Sequence, residues 1–215
     1  MLRCVILAAL GVSLCGAAQK PDVLIKRVQD RYNGARTLKL QFVEDFEVQG
    51  RGRPSQSGTL TLKKQGKMRW DYIQPAGKLF LSDGKTVYLY TAGDNRVEKI
   101  AVRDTEDMRA PLAFLLGRLD LKKEFQNFRA RDRGDGAWLE ASAKSDRMPY
   151  STVAMRVAEN GSVRELKVTG RDGSLMAFTF TNEVLNLAVN ESLFRFAIPP
   201  GAEVVDAVEF RAEGK

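Results

Sequence analysis

The sequence contains no histidine, and its two cysteines, Cys4 and Cys15, lie close to the amino terminus. Without histidine, the chain cannot form a Ser-His-Asp or Cys-His catalytic group or the common zinc sites. An enzyme built on this chain would therefore depend on carboxylate, lysine, tyrosine and serine side chains.

Long hydrophobic runs are also missing, because no stretch approaches the ~20 apolar residues that span a bilayer. The short apolar run near the amino terminus follows Arg3 and ends in small residues at Gly16 to Ala18. This arrangement is typical of a cleavable secretory signal. We expect residues 1–18 to be a signal peptide and residues 19–215 to form one exported domain. Cys15 leaves a lipid-anchored alternative open, although Leu14 stands where the anchoring signal needs a small residue.

Cleavage after Ala18 would remove both cysteines, so the mature domain would have to rest on its hydrophobic core rather than on disulfides. The formal net charge of the whole chain is +7. For an exported protein, a basic balance favours acidic partners or transient contact with an anionic membrane surface over nucleic acid.

Apolar residues alternate with polar ones from Gly58 to Tyr90, and Gly, Pro or Asp-Gly separates the runs. Period-two alternation predicts strands with one apolar face, and the short connections predict antiparallel pairing. A preceding strand carries Phe42 on the same pattern, with a bulge expected near Glu44. The predicted apolar face consists of Phe42, Leu60, Leu62, Met68, Trp70, Leu79, Leu81, Val87 and Leu89.

Two helices stand out. Pro21 to Ala35 has apolar residues every four positions, which indicates an amphipathic helix. The stretch Ala110 to Leu119 is apolar over most of its circumference, so such a helix must be buried or must cover an apolar surface. Its large apolar residues include Leu112, Phe114, Leu115 and Leu116.

The second half of the chain reads as further strands separated by Asp-Gly and Asn-Gly turns. The last predicted strand is Leu193 to Ala197, followed by a turn at Pro199 to Gly201. The sequence therefore predicts a mainly β (α+β) domain with two or three helices. Apolar strand faces outnumber the helices that would cover them, which leaves two interpretations open: an ordinary core, or a sheet curved around a ligand cavity.

Other motifs have ordinary explanations. Gly84-Lys85-Thr86 lacks the first glycine and the helix of a phosphate-binding loop. Ser82 and Lys85 have the spacing of penicillin-binding enzymes but flank a hairpin turn instead of starting a helix. Asp104, Glu106 and Asp107 lack the spacing of a calcium loop. Basic residues of the first hairpins form either a solvated face or a docking patch for acidic groups.

Several of these segments together resemble the periplasmic outer-membrane lipoprotein carrier family, the LolA-like proteins. The similar segments are GTLTLKKQGKMRWDYIQP, LSDGKTVYLY, APLAFLLGR and the terminal FRFAIPPG. The resemblance implies an incomplete antiparallel β-barrel with about three helices that form a lid over an apolar cavity. It also implies that the protein is not an enzyme and has no cofactor or metal.

The resemblance further implies a periplasmic carrier of triacylated lipoproteins. Such a carrier accepts its cargo from an inner-membrane ABC exporter and passes it to an outer-membrane acceptor lipoprotein. We expect it to act as a monomer. The nine apolar strand residues would line the cavity, and Leu112, Phe114, Leu115 and Leu116 would belong to the lid helix.

The chain departs from the family at two adjacent positions. Carriers of this family commonly have an arginine before a proline on the second meander strand, where it binds lid-side backbone carbonyls and keeps the empty cavity shut. Lys64 and Gln65 occupy these positions here, which makes Lys64 the candidate latch. Lysine keeps the charge but lacks the planar fork of donors. Two alternatives therefore stay open: a carrier of the same fold for a glycolipid or polyketide, and an envelope regulator that senses lipoproteins.

Overall fold

The computed structural model describes residues 20–64, 66–102, 120–133 and 136–206. The helices are α1 (Pro21–Asn33), α2 (Leu121–Glu124) and a 3-10 helix (Glu191–Phe194). The strands of the first half are β1 (Thr37–Val48), β2 (Arg51–Gly52), β3 (Gln56–Lys63), β4 (Lys67–Gln74), β5 (Lys78–Asp83), β6 (Thr86–Thr91) and β7 (Arg96–Ala101). Those of the second half are β8 (Phe125–Arg133), β9 (Gly136–Ala143), β10 (Tyr150–Ala158), β11 (Val163–Gly170), β12 (Leu175–Leu185) and β13 (Glu203–Asp206).

The predicted amino-terminal helix is confirmed as α1, which ends two residues earlier than expected. Pro21 occupies the first turn, where a backbone N–H would have no partner within the helix, so its absence costs no hydrogen bond. Asp22 complements the positive end of the helix dipole. The buried stripe of the helix consists of Leu24, Ile25, Val28 and Tyr32. None of the helices in the described ranges is long and apolar enough to cross a membrane.

All the strands belong to one sheet. Twelve of them follow one another in the order β13, β7, β6, β5, β4, β3, β1, β12, β11, β10, β9 and β8, and β2 pairs with the end of β1. Neighbours are antiparallel except β13 and β7, which are parallel. The mainly β prediction is thus confirmed as an open, curved sheet. The incomplete barrel implied by the resemblance stays a prediction; in the described part of the chain, β8 and β13 are the two edges of the sheet and do not pair. The expectation of about three helices needs correction, because the described residues form two α-helices and one short 3-10 helix.

Strand β1 is the centre of this sheet, since it pairs with β3 on one side and β12 on the other. The irregularity in its pairing lies between Lys39 and Gln41, opposite β12, rather than near Glu44 as predicted. Glu44 continues the alternation between Phe42 and Phe46, so it points to the same side as those two rings.

The sheet has two differently covered faces. We call the face that carries Trp70 and Phe178 the inner face; it is buried in the main hydrophobic core together with the apolar stripe of α1. The opposite, outer face is mostly polar, with a second buried region over β4 to β7. Because strand side chains alternate, each residue of a strand pair belongs to the same face as its cross-strand partner.

The carboxyl-terminal part differs most from the predictions. Leu193 to Ala197 is predicted as a strand, but the chain forms the 3-10 helix Glu191–Phe194, which begins where the side chain of Asn190 accepts a hydrogen bond from the N–H of Ser192. Strand β8, which no alternation predicts, contains a bulge opposite β9, where one extra residue lies between Gln126 and Arg129. After the predicted turn at Pro199 to Gly201, the chain returns as β13.

Candidate functional site

Seven of the nine predicted cavity residues lie on the inner face. They are Phe42, Leu60, Leu62, Met68, Trp70, Val87 and Leu89, and all belong to or pack against the main core. Leu60 lies opposite Trp70, and Leu62 lies opposite Met68. Their side chains therefore form two rows across β3 and β4. That they contact a ligand stays a prediction.

The other two predicted cavity residues, Leu79 and Leu81, lie on the outer face. Trp70 pairs with Phe80, so Phe80 is the β5 residue that shares the inner face with it. Leu79, Phe80 and Leu81 form a continuous apolar run, and such a run does not reveal which residues face the core. The predicted alternation in β5 is therefore one residue out of phase.

Leu81 is nevertheless fully buried, because the carboxyl-terminal segment covers it. The 3-10 helix packs on β4 and β5, and Phe194 and Val97 are buried with Leu81 outside the main core. Phe196 stacks on Tyr88 with ring centroids 4.9 Å apart. The apolar run in β5 together with the aromatic residues of β6 is the available signal that both faces are covered here.

An aromatic cluster forms the middle of the inner face. The ring of Trp70 lies 4.7 Å from that of Phe42 in an edge-to-face arrangement and 5.5 Å from that of Phe178. Phe178 in turn stacks on Phe180 at 5.8 Å. Trp70 is fully buried, and its indole Nε1 has no hydrogen-bond acceptor among the described residues. A buried N–H without an acceptor lowers the stability of the fold by about 1–3 kcal/mol. The Nε1 of Trp70 is therefore an exception to the rule that buried polar atoms are hydrogen-bonded.

Polar contacts fix the carboxyl-terminal end of α1 to the sheet. The hydroxyl of Tyr32 donates to Glu183 Oε2 at 2.6 Å and accepts from the N–H of Val163 at 3.0 Å. Arg31 Nε donates to Glu183 Oε1 at 2.8 Å. Burial and the adjacent Glu183 carboxylate raise the pKa of Tyr32 well above its usual range. The Glu183 carboxylate therefore joins β12 to α1, and the Tyr32 hydroxyl extends this contact to the first residue of β11.

Lys64, the candidate latch, also reaches the end of α1. Its Nζ donates to the backbone carbonyl of Asn33 at 2.8 Å, and its own N–H donates to the carbonyl of Arg36 at 3.1 Å. Asn33 is the last residue of α1, and cations are favoured near the carbonyls at a helix carboxyl terminus. The partner of Lys64 is thus α1. The predicted lid residues Leu112, Phe114, Leu115 and Leu116 lie outside the described residues.

A cleft of about 640 Å³ opens at one end of the inner face. Its apolar lining comes from Phe46, Met148 and Met176. The guanidinium carbon of Arg53 lies 4.9 Å from the ring centroid of Phe46, and Lys78 Nζ lies 4.3 Å from that of Tyr72. The cleft therefore combines a few apolar side chains with charged groups of both signs, since Asp146, Asp172 and Arg171 also line it. Its volume is in the range of about 300–1,000 Å³ that ligand sites occupy.

None of the nine predicted cavity residues lines this cleft, and its buried acidic residue, Glu44, was not predicted as part of a site. It is 3% exposed, and its Oε2 accepts a hydrogen bond from the hydroxyl of Tyr72 at 3.1 Å. An acidic residue between Phe42 and Phe46 on an alternating strand is the available signal, although the sequence alone suggests a bulge there. Among the described residues, the cleft included, no group of three or more His, Cys, Asp or Glu side chains is placed to hold a metal ion.

Comparison with known proteins extends the resemblance seen in the sequence. Residues 33–197 match the sequence profile of the family described as outer membrane lipoprotein carrier protein LolA. An outer-membrane lipoprotein carrier protein of Chromobacterium violaceum is 29% identical over 198 residues, which cover 92% of this chain and 94% of that protein. The protein with the same description from Bordetella avium is 30% identical over 160 residues, covering 73% of this chain and 74% of its own length.

Among solved structures, an uncharacterized conserved protein from Thermus thermophilus superposes with a TM-score of 0.52. The match covers 87% of this chain and 99% of that protein at 11% identity, so it bears on the fold alone. Since the family profile spans most of the chain and the open curved sheet accompanies it, the chain belongs to the outer membrane lipoprotein carrier family, LolA.

Proposed function

We propose that the protein is a periplasmic carrier that shields the acyl chains of lipoproteins while they cross from the inner to the outer membrane. Membership of the lipoprotein carrier family supports this function. The observation that carries it is the inner face, where large apolar side chains of many strands form one continuous surface that ends in an open cleft. The carrier is not an enzyme, and its work is binding and release.

The energetics explain why such a carrier is needed. Three acyl chains contain ~45 methylene groups, and exposing them to water would cost roughly 35 kcal/mol at ~0.8 kcal/mol each. The membrane that the lipoprotein leaves is as apolar as the carrier, so binding to the carrier gains little free energy. Loading therefore needs an external energy source, and unloading needs an acceptor that binds the cargo better.

The proposed partners follow from this requirement. An inner-membrane ABC exporter would supply the energy for loading, and an outer-membrane acceptor lipoprotein would take the cargo. The cargo itself is a triacylated lipoprotein, and the carrier acts as a monomer that touches the membrane surface only transiently. Neither delivery step needs a cofactor.

Release is easier if the empty inner face closes on itself. Phe42, Leu60 and Trp70 are buried against neighbouring side chains, so cargo has to displace part of this packing. Lys64 supports closure, because its bond to the Asn33 carbonyl holds the end of α1 on the sheet. We therefore assign the latch role to Lys64, with α1 as the element that it holds.

One observation favours a second candidate, a carrier of the same fold for another lipid. Lys64 and Gln65 replace the arginine and proline of the family pattern, and lysine makes a single point contact where arginine would offer several donors. A different latch would suit a cargo of different shape, such as a glycolipid or a polyketide.

Mass spectrometry of material that copurifies with the mature protein from its own periplasm tests both candidates. Triacylated lipoproteins at about one per carrier are the expected result. A free glycolipid or polyketide in their place would favour the second candidate. Absence of any lipoprotein, glycolipid or polyketide, with the protein folded and monomeric, would count against both.

A further inference from the structure

Trp70 lies at the centre of the aromatic cluster on the inner face, and its one polar atom has no partner. The side chain is fully buried, and Nε1 has no hydrogen-bond acceptor among the described residues. The Phe42 ring, 4.7 Å away between centroids, offers only its π-electrons, which accept hydrogen bonds weakly. A ligand that brings an acceptor to Nε1 therefore removes a cost that the empty protein carries.

The surroundings of Trp70 explain why this acceptor has to come from a ligand. Its neighbours on the inner face are Leu60 and Phe80 on the adjacent strands and Met68 and Tyr72 along β4. Among these four side chains, only that of Tyr72 carries an oxygen or nitrogen atom, and its hydroxyl is hydrogen-bonded to Glu44. The indole N–H thus lies among side chains that are apolar apart from one hydroxyl with a partner of its own.

A single donor in apolar surroundings selects one polar group of an acylated ligand. A hydrocarbon chain has no acceptor, and an amide brings its own N–H, which would need a further acceptor to avoid the cost of burial. An ester has acceptor oxygens and no donor, so it satisfies the indole N–H and leaves no N–H or O–H of its own unpaired. Esters also join two of the three acyl chains of a triacylated lipoprotein to its glyceryl group.

We infer that Trp70 Nε1 donates a hydrogen bond to an ester carbonyl of the bound acylated ligand. This inference rests on the proposed carrier function and adds a contact that fixes how far an acyl chain enters the inner face. The bound chain replaces part of the packing of Phe42 and Phe178 against the indole ring. The contact also gives the carrier a preference for chains attached by esters over chains attached by ethers.

A pair of ligands that differ only in the ester carbonyls tests the inference. One is a peptide whose amino-terminal cysteine carries an S-glyceryl group with two palmitoyl esters, and the other carries two hexadecyl ethers instead. Nitrogen–proton correlation NMR of the isotope-labelled protein follows the indole N–H groups of its two tryptophans as each ligand is added. Trp138 is the internal control, because its strand neighbours Ala137 and Leu139 belong to the main core and Trp138 therefore lies on the outer face.

The Trp70 indole resonance should move downfield with the diester, as a new hydrogen bond predicts, and should move much less with the diether. The Trp138 resonance should not move with either ligand. The wild-type protein and the matched control Trp138→Phe should bind the diester about 5-fold more tightly than the diether, as the gain of one hydrogen bond predicts. Trp70→Phe should bind both ligands with similar affinity.

The spectra of the wild-type protein decide the matter even if Trp70→Phe does not fold. Equal shifts of the Trp70 resonance with both ligands would overturn the inference and leave the carrier function intact. An ester preference that persists in Trp70→Phe would overturn it as well, since another group would then recognise the ester. Binding of neither ligand by the wild-type protein would instead overturn the carrier function on which the inference rests.

Discussion

Lys64 joins a strand turn to the end of a helix through a single ammonium group. The last carbonyls of a helix lack intrahelical donors, so the contact with the Asn33 carbonyl satisfies an acceptor as well as placing a cation at the negative end of the helix dipole. Arginine at this position would reach more than one carbonyl. The contact in this chain therefore consists of a single side-chain hydrogen bond, and a substitution that removes the Lys64 ammonium group should abolish it.

Replacing Lys64 by methionine should loosen the end of α1 and make the inner face easier to open. We expect a loss of about 1–2 kcal/mol in the free energy of unfolding, since the bond involves a charged donor. Binding of an apolar fluorescent dye by the empty protein should increase. Lys26→Met is the control, because Lys26 is exposed on α1 and pairs with nearby Asp30. Equal dye binding by both variants would contradict the latch role.

Residue-level prediction succeeded where polar and apolar residues alternate strictly, as in Leu60 to Leu62 and Met68 to Trp70. It failed at Leu79 to Leu81, because three consecutive apolar residues do not define a phase. It also misinterpreted Glu44, since a buried acid on an apolar face contradicts the rule that strand patterns rest on. Such exceptions occur where a side chain is retained for function or for a local hydrogen bond.

At the scale of elements, the carboxyl-terminal segment is a structural layer of its own. The 3-10 helix holds Phe194 against the outer side of β4 and β5, and Glu191 bonds both Lys63 and Lys67. These two hydrogen bonds lower the pKa of Glu191 to about 2. The segment therefore covers the outer face of the strands whose inner face forms the site.

Phe194→Ala should remove the main apolar contact of this layer. We expect a loss of about 3–5 kcal/mol in the free energy of unfolding, as for other buried phenylalanines, measured by urea denaturation. Ile198→Ala, at a position that is 54% exposed four residues later, should change it by less than about 0.5 kcal/mol. A loss as small for Phe194→Ala as for Ile198→Ala would show that the segment does not support the sheet.

The contact between α1 and Glu183 predicts sensitivity to alkaline pH. The pKa of Tyr32 is raised in the folded protein, whereas an unfolded tyrosine titrates near 10. Above about pH 10, the unfolded chain loses this proton and the folded protein keeps it. The free energy of unfolding therefore falls as the pH rises, by up to about 1.4 kcal/mol per pH unit.

Tyr32→Phe removes the part of this pH dependence that comes from the titration of Tyr32. At pH 7 the variant should be less stable than the wild type, because Glu183 and the N–H of Val163 lose a partner. The difference in the free energy of unfolding between wild type and variant, measured by urea denaturation, should become smaller above pH 10. Tyr150→Phe should act in the same direction at high pH, since burial and Glu124 raise the pKa of Tyr150 to about 12. Parallel loss of stability in wild type and Tyr32→Phe above pH 10 would contradict the role of this contact.

Whether a segment forms a helix or a strand was easier to predict than which elements pair with one another. Helix α1 and the meander from β3 to β6 follow from periodicity and turn residues, because these signals are local. The end of the 3-10 helix at Glu191 to Phe194 resembles the start of a strand in sequence, since large apolar residues alternate at Phe194, Phe196 and Ile198. The parallel pairing of β13 with β7 depends on where distant parts of the chain meet, and no local pattern encodes that.

On the scale of the whole molecule, one open sheet separates two layers with different tasks. The inner face holds the aromatic cluster and the cleft, and the outer face over β4 to β7 is closed by the carboxyl-terminal segment. In the proposed function, cargo would displace side chains of the inner face while the carboxyl-terminal segment still covers the outer side of β4 and β5.

The two tryptophans of the chain lie on opposite faces, which allows the inner face to be tested directly. Trp70 is buried at the centre of the inner face, whereas Trp138 is on β9 with its ring 5.1 Å from Lys167 Nζ of β11. A triacylated peptide with brominated acyl chains quenches only tryptophans that it touches. Trp138→Phe leaves Trp70 as the reporter, and Trp70→Phe leaves Trp138.

Titration of these two variants with the brominated peptide is the most direct test of the carrier function. The emission of Trp70 in Trp138→Phe should be strongly quenched, in proportion to the peptide bound. The emission of Trp138 in Trp70→Phe should be unchanged when binding is complete. Quenching of Trp138 with no effect on Trp70 would place the acyl chains outside the inner face and contradict the proposed function.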